Sequence, residues 1–219
     1  MNNTKILEML NNGEIEELKG KIQDEIFQEE LKKSGGANAK KRYDAMKKYF
    51  KYCDKPDKRF LYPYKNLSVK IHGEMKEMNC FLDGYSFVLT PESIGNVEDF
   101  SSVGAGKEYF NVQKMIDMPL DYEEVDLNKA LSAAKARGYK YKSSELDSYK
   151  FTYAWHYKDA YYKIGILDKA YSIVNDGKKA KLYYTNNVSI LYIETSIGLA
   201  AILPMHWDTG AGKIVIETE

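Results

Sequence analysis

Histidine and cysteine are scarce in this chain of 219 residues, and their placement narrows the available chemistry further. The three histidines, His72, His156 and His206, stand far apart, and none has the i, i+4 partner or carboxylate spacing that builds a metal site on one helix. Cys53 and Cys80 belong to no CxxC or His-flanked pattern, so reduced thiols without a metal role are expected. Also missing is any apolar run near the ~18 residues that a membrane-spanning helix needs. The N-terminus, MNNTKILEMLNNG, lacks the apolar core of a signal peptide, so a cytoplasmic protein with no membrane partner is expected. Net charge is absent too: 32 Lys and Arg balance 32 Asp and Glu, so any attraction to nucleic acid must come from local clusters.

Catalytic signatures are equally sparse. Gly104-Ala105-Gly106-Lys107 and Gly210-Ala211-Gly212-Lys213 echo phosphate loops but lack the spaced first glycine and the Ser or Thr after lysine, so both read as turns. There is no Gly-x-Ser-x-Gly elbow, and neither cysteine has a nameable histidine partner. The expectation is a protein that is not an enzyme, with no catalytic residue, no cofactor and no metal. A carboxylate site assembled only in three dimensions is the remaining enzymatic reading.

What is present is an ordinary globular composition, 44% apolar and 29% charged, and a length that suits one large domain or two of about 110 residues. The 19 tyrosines sit mostly in segments with strand character, which points to a β-rich protein. From Thr4 to Lys33, Ile15, Leu18, Ile22, Ile26 and Leu31 recur every three to four residues and predict a helical arm, ended by Ser34-Gly35-Gly36. Residues 37–53 predict a second helix with an apolar stripe of Ala39, Tyr43, Met46, Phe50 and Cys53. At about 100° per residue, Lys40, Lys47 and Lys51 align on the opposite side, with Lys41 and Lys48 beside them and Asp44 interrupting. Such a lysine face is either solvated or neutralises phosphates.

Asp83-Gly84 between Asn79–Leu82 and Tyr85–Leu89 predicts a tight hairpin, preceded by a strand at Leu67–Ile71. Pro91 to Gly106 reads as a loop, Tyr109–Val112 as a short strand and Gln113–Met118 as a helical turn. Asp126 can cap a helix over Leu127–Arg137 that carries Lys129, Lys135 and Arg137, and Tyr149–Tyr157 follows as an aromatic strand. Alternation extends a strand from Ala160 through Ile166; Asp168 then caps a short helix with Ala170, Ile173 and Val174 on one face. Lys181–Thr185 and Ser189–Glu194 pair across Asn186-Asn187, and Gly198–Pro204 is apolar enough to be central and covered on both faces. Ile214–Ile216 is a possible edge strand in the tail.

This β-α-β-β-β run, closing on Ala201-Ile202-Leu203-Pro204-Met205, resembles the last repeat of DNA sliding clamps, especially the bacterial replicative clamp. The resemblance implies an α+β, clamp-like fold of repeated β-α-β-β-β units with antiparallel meanders, to which the helical arm is added. On that reading residues 1–36 are the arm, 37–118 a first clamp-like domain and 119–219 a second. Clamp helices present basic residues to duplex DNA, which assigns backbone contacts to Lys40, Lys41, Lys47, Lys48, Lys51, Lys135 and Arg137. The family's client pocket falls on Pro204 and Met205, and Trp207 becomes an aromatic anchor for protein partners, although this chain continues beyond the motif where bacterial clamps stop. The implied function is a non-catalytic processivity-type factor binding duplex DNA or replication partners, with three two-domain chains closing a homotrimeric ring. The alternative is an interaction module of a mobile element, with a clamp-derived fold that does not encircle DNA.

Overall fold

The computed structural model describes residues 3–33, 39–53, 64–91, 98–99, 111–116, 118–140, 151–185, 189–205 and 212–217. It is a mixed α+β architecture dominated by an antiparallel sheet. The chain opens with helices α1 (Asn3–Asn11), α2 (Ile15–Lys33) and α3 (Ala39–Cys53). Strands β1 (Tyr64–Ile71), β2 (Glu74–Leu82) and β3 (Ser86–Thr90) form a meander, and β4 (Glu98–Asp99) adds a parallel edge beside β1. A 3-10 turn (Val112–Met115), β5 (Glu123–Val125) and α4 (Leu127–Ala136) lead to β6 (Phe151–Tyr157) and β7 (Ala160–Lys163). Next come α5 (Ile164–Val174), a second meander of β8 (Ala180–Tyr184), β9 (Leu191–Glu194) and β10 (Leu199–Ile202), and the final β11 (Gly212–Glu217).

The main sheet has the order β4-β1-β2-β3-β10-β9-β8-β5. Its centre is the antiparallel pair β3–β10, with Leu199 opposite Leu89 and Ile202 opposite Ser86. The chain is thus twice a helix followed by a three-stranded meander, α3-β1-β2-β3 and α5-β8-β9-β10, joined through the third strand of each. Sheet hydrogen bonding crosses the expected boundary between residues 118 and 119, so segments 37–118 and 119–219 build one sheet.

Strand alternation divides the core. Phe81, Val88, Leu182, Ile193, Ala200 and Ile202 face a cluster with α3, α4 and α5, whereas Cys80, Phe87, Leu89, Tyr192, Leu199 and Ala201 face a second cluster that includes Val112. All four residues of β10 are buried, as its apolar run predicts. The chain approaches β10 through Gly198, where an added Cβ would collide with the Leu89 carbonyl oxygen of β3 and meet Val174 Cγ1 at 3.3 Å. Gly198→Ala is therefore expected to cost at least about 1–3 kcal/mol, read from the urea midpoint, because the obstacle is backbone that cannot rotate aside.

Several expectations require correction. The single helix over Thr4–Lys33 is two, broken where Gly13 adopts φ +73°, a conformation a helix cannot contain. Within it only Leu18 turns inward among the described isoleucines and leucines of α2; Ile15, Ile22 and Ile26 are exposed. The strand expected through Ile166 stops at Lys163, because Ile164, Leu167, Ala170, Tyr171 and Val174 also satisfy the helical period and bury a face of α5. Asp168 consequently lies inside α5 and not at its cap; the cap position is Lys163, whose side chain does not cap the helix. β6 and β7 leave the main sheet and form a small one with β11, the expected edge strand, which runs parallel to β6. Val112 belongs to the 3-10 turn and not to a strand. The Asp83-Gly84 hairpin and the Asp126 cap stand as expected, with Asp126 Oδ1 accepting from Asn128 N at 3.1 Å. The turns at Ser34-Gly35-Gly36 and Asn186-Asn187 and most of the 91–106 loop lie outside the described residues.

Candidate functional site

Helix α3 is seated by Arg42, Tyr43, Met46 and Tyr49, which are all buried, so the inward face contains Tyr43 and Met46 of the expected stripe and adds an arginine and Tyr49; the side chains of Ala39, Phe50 and Cys53 lie outside the described residues. Arg42 Nε donates to the Ile173 carbonyl at 2.8 Å, supplying a cation and a donor to the last turn of α5. Tyr49 Oη donates to the Ser86 carbonyl at 3.1 Å, fixing α3 to the start of β3. α2 lies over α3 and donates from Gln28 Nε2 to Tyr43 Oη at 2.9 Å.

With α3 so oriented, Lys41, Asp44, Ala45 and Lys48 fall on one face, one and two turns apart, and form a wall of a cavity of about 290 Å³. Lys135 of α4 closes it from a second side, and Asp168, Lys169 and Ser172 of α5 make its floor. Asp168 is held in place: Tyr139 Oη donates to Oδ2 at 3.2 Å and Ser172 Oγ to Oδ1 at 3.3 Å. Lys169 points beneath the floor, where its ammonium pairs with the Asp83 carboxylate and sits 4.7 Å above the Tyr49 ring. Asp83 in turn accepts from Tyr85 N at 2.9 Å and from Ser86 N at 2.7 Å and Oγ at 3.0 Å. The hairpin turn, α3 and α5 are thereby tied at one buried point.

With Lys169 neutralised by Asp83, Lys41, Lys48 and Lys135 outnumber Asp44 and Asp168 around this recess, a balance that suits an anion. Among the described residues, no group of three or more His, Cys, Asp or Glu could hold a metal ion.

Of the lysines expected to bind DNA, Lys41, Lys48 and Lys135 are brought together here. Lys40 is exposed on the first turn of α3, and Lys47 is half-buried with its ammonium 4.9 Å from the Tyr43 ring centre. Lys51 lies in α3, but its side chain is outside the described residues. Arg137 is directed elsewhere, donating from Nη1 to the Val215 carbonyl at 2.6 Å and bonding α4 to β11. Pro204 and Met205 are half-buried, and Met205 N donates to the Tyr161 carbonyl at 2.8 Å. Beside them Tyr85, Phe87, Met115, Ile190 and Leu203 line an apolar recess of only about 30 Å³, the scale of a water molecule. Trp207 lies outside the described residues.

Sequence reasoning missed Asp83, Lys169, Ser172 and the true role of Asp168. One signal was available: Asp168-Lys169 is the sole charged pair in the otherwise uncharged helix IGILDKAYSIV, and ionic residues placed inside an apolar element need partners.

A second polar cluster lies across the main sheet. His72, at a β1–β2 turn with φ +49°, has Nε2 3.2 Å from both carboxylate oxygens of Glu194, and Tyr183 Oη donates to Glu194 Oε2 at 2.6 Å. Burial, reinforced by that carboxylate, pushes the Tyr183 phenol well above its usual range, so it stays a donor. At the sheet edge Tyr157 donates to Glu123 at 2.9 Å, and the Lys158 ammonium beside it helps hold the Glu123 carboxyl below its ordinary range.

A scan against models of known families matched none, and searches of curated proteins and of solved structures found no match.

Proposed function

We propose that this chain is a non-catalytic binding module with a clamp-like fold that contacts the phosphate backbone of duplex DNA through the α3–α4–α5 recess and does not encircle it. The convergence of Lys41, Lys48 and Lys135 on one cavity carries the reading. Lys41 and Lys48 stand two turns apart, about 10 Å along α3, or three steps of duplex rise. The doubled helix–meander, with α3 and α5 side by side on one sheet face, supports the clamp-like description.

The edges favour the module over the ring. The strands that end the main sheet, β4 and β5, have two and three residues and carry Glu98, Asp99, Glu123 and Glu124. Joining them head to tail would oppose acidic strands, a device that keeps sheets from extending. A ring-closing processivity factor, with clients docked at Pro204 and Met205, is the reading this edge chemistry disfavours.

Binding of a fluorescent duplex, followed by anisotropy, tests the proposal. Three lysine–phosphate contacts predict a slope of about −2.7 in log affinity against log salt, or about 40-fold weaker binding at 200 than at 50 mM. Lys41→Glu/Lys48→Glu should lower the affinity at least about tenfold and flatten the slope by about two. Lys76→Glu on β2, away from the recess, should change neither. Equal binding by wild type and the double variant would remove the proposal.

A further inference from the structure

The arm leaves an apolar face uncovered on a helix that is otherwise anchored. One flank of α2 carries buried Leu18 and is held to α3 by Gln28 on Tyr43 and to α1 by Lys21 Nζ on Met9 Sδ at 3.7 Å. On another, Ile15, Ile22 and Ile26 are 50%, 38% and 52% exposed, and Leu7 and Leu10 of α1 are 59% and 47% exposed. Isolated exposed leucines are ordinary, but Ile15, Ile22 and Ile26, at i, i+7 and i+11 on one helix, form an exposed apolar stripe.

We infer that this surface joins two copies of the chain, with α2 packed antiparallel against α2 of the second copy. The order of residues sets the partner and the direction. Ile15, Lys19, Ile22, Ile26 and Glu29 are separated by four, three, four and three residues, the seam of a coiled coil. In an antiparallel pair centred near Asp24, Ile22 of each helix meets Ile26 of the other, and Lys19 of each meets Glu29 of the other. The apolar layers are then flanked on both sides by opposite charges. A parallel, in-register pair would set Lys19 on Lys19 and Glu29 on Glu29, which is disfavoured. The antiparallel arrangement is isologous, so it closes at two copies and builds no ring. It depends on none of the residues of the lysine recess, and its test is independent of DNA.

Sedimentation velocity of the full chain between about 1 and 100 µM reads the assembly, with a mass of two chains expected at the upper end. Ile22→Glu should give a monomer whose far-ultraviolet circular dichroism matches wild type, since the side chain it replaces is exposed. The decisive variants are electrostatic. Lys19→Glu alone should weaken the dimer about tenfold, because it opposes two carboxylates twice; Lys19→Glu/Glu29→Lys should return it to within about threefold of wild type. A wild-type chain monomeric at the highest concentration, a dimer unaffected by Ile22→Glu, or a charge swap that fails to restore association would each overturn the inference.

Discussion

Asp83→Asn is expected to destabilise the protein by about 3–5 kcal/mol, the cost of leaving a buried charge without its counter-ion. The side chains of Asp83 and Lys169 are 0% and 3% exposed, so water cannot replace the lost partner. Asparagine retains an acceptor oxygen for Tyr85 N and Ser86 N, which keeps the turn and isolates the loss of charge. What remains for the Lys169 ammonium includes the Tyr49 ring face, worth about 2 kcal/mol when desolvated, less than an ion pair removed from water. Lys169→Met is expected to cost less, because Asp83 keeps three hydrogen-bond donors. The double variant Asp83→Asn/Lys169→Met should recover most of the loss of the first, since no uncompensated charge remains. Urea unfolding of the three variants measures this directly. A loss under about 1 kcal/mol for Asp83→Asn would mean that the pair contributes no more than a surface bridge.

Trp155→Ala should cost a similar amount, about 3–5 kcal/mol. Trp155 is fully buried on β6, in register with Tyr162 of β7 on one side and Ile216 of β11 on the other. Its ring stacks on Tyr157 with centroids 4.8 Å apart and planes 23° from parallel, and it belongs to the same cluster as Leu167, Ile173 and Leu182. The small sheet is thus bonded to the main core through this side chain, and a cavity the size of an indole cannot be filled by neighbours already close-packed. For a chain of this length the melting temperature should fall by about 6–20 °C. A change of under about 2 °C would show that the small sheet does not depend on this packing.

The two variants bracket what was legible in the sequence. Trp155 sits in a segment whose alternation and aromatic content announce a strand, and its element was expected within two residues. The same holds for the Asp83-Gly84 hairpin, for Asp126 at the start of α4 and for the fully buried β10, because each depends on neighbours within about ten residues. Lysines 41 and 48 were visible as part of a basic helix, yet the choice of Lys41 and Lys48 over Lys40 and Lys47 for the recess was not. That choice follows from the roll of α3, which Arg42 and Tyr49 set by bonding to Ile173 and Ser86, more than 35 residues away in sequence.

The amino-acid sequence by itself determined the period of nearly every element, two main turn and cap positions, and the heptad order of α2, since backbone sterics and side-chain spacing act locally. Tertiary structure alone decided that β3 pairs with β10, that β6 and β7 leave the main sheet to join β11, and that Lys169 is buried on Asp83. Strand partners are chosen by which apolar faces can be covered together, a property of the whole chain. A lysine is read as a surface residue until a distant carboxylate offers it a counter-ion, and the 85 residues between Asp83 and Lys169 hide that offer from any local pattern.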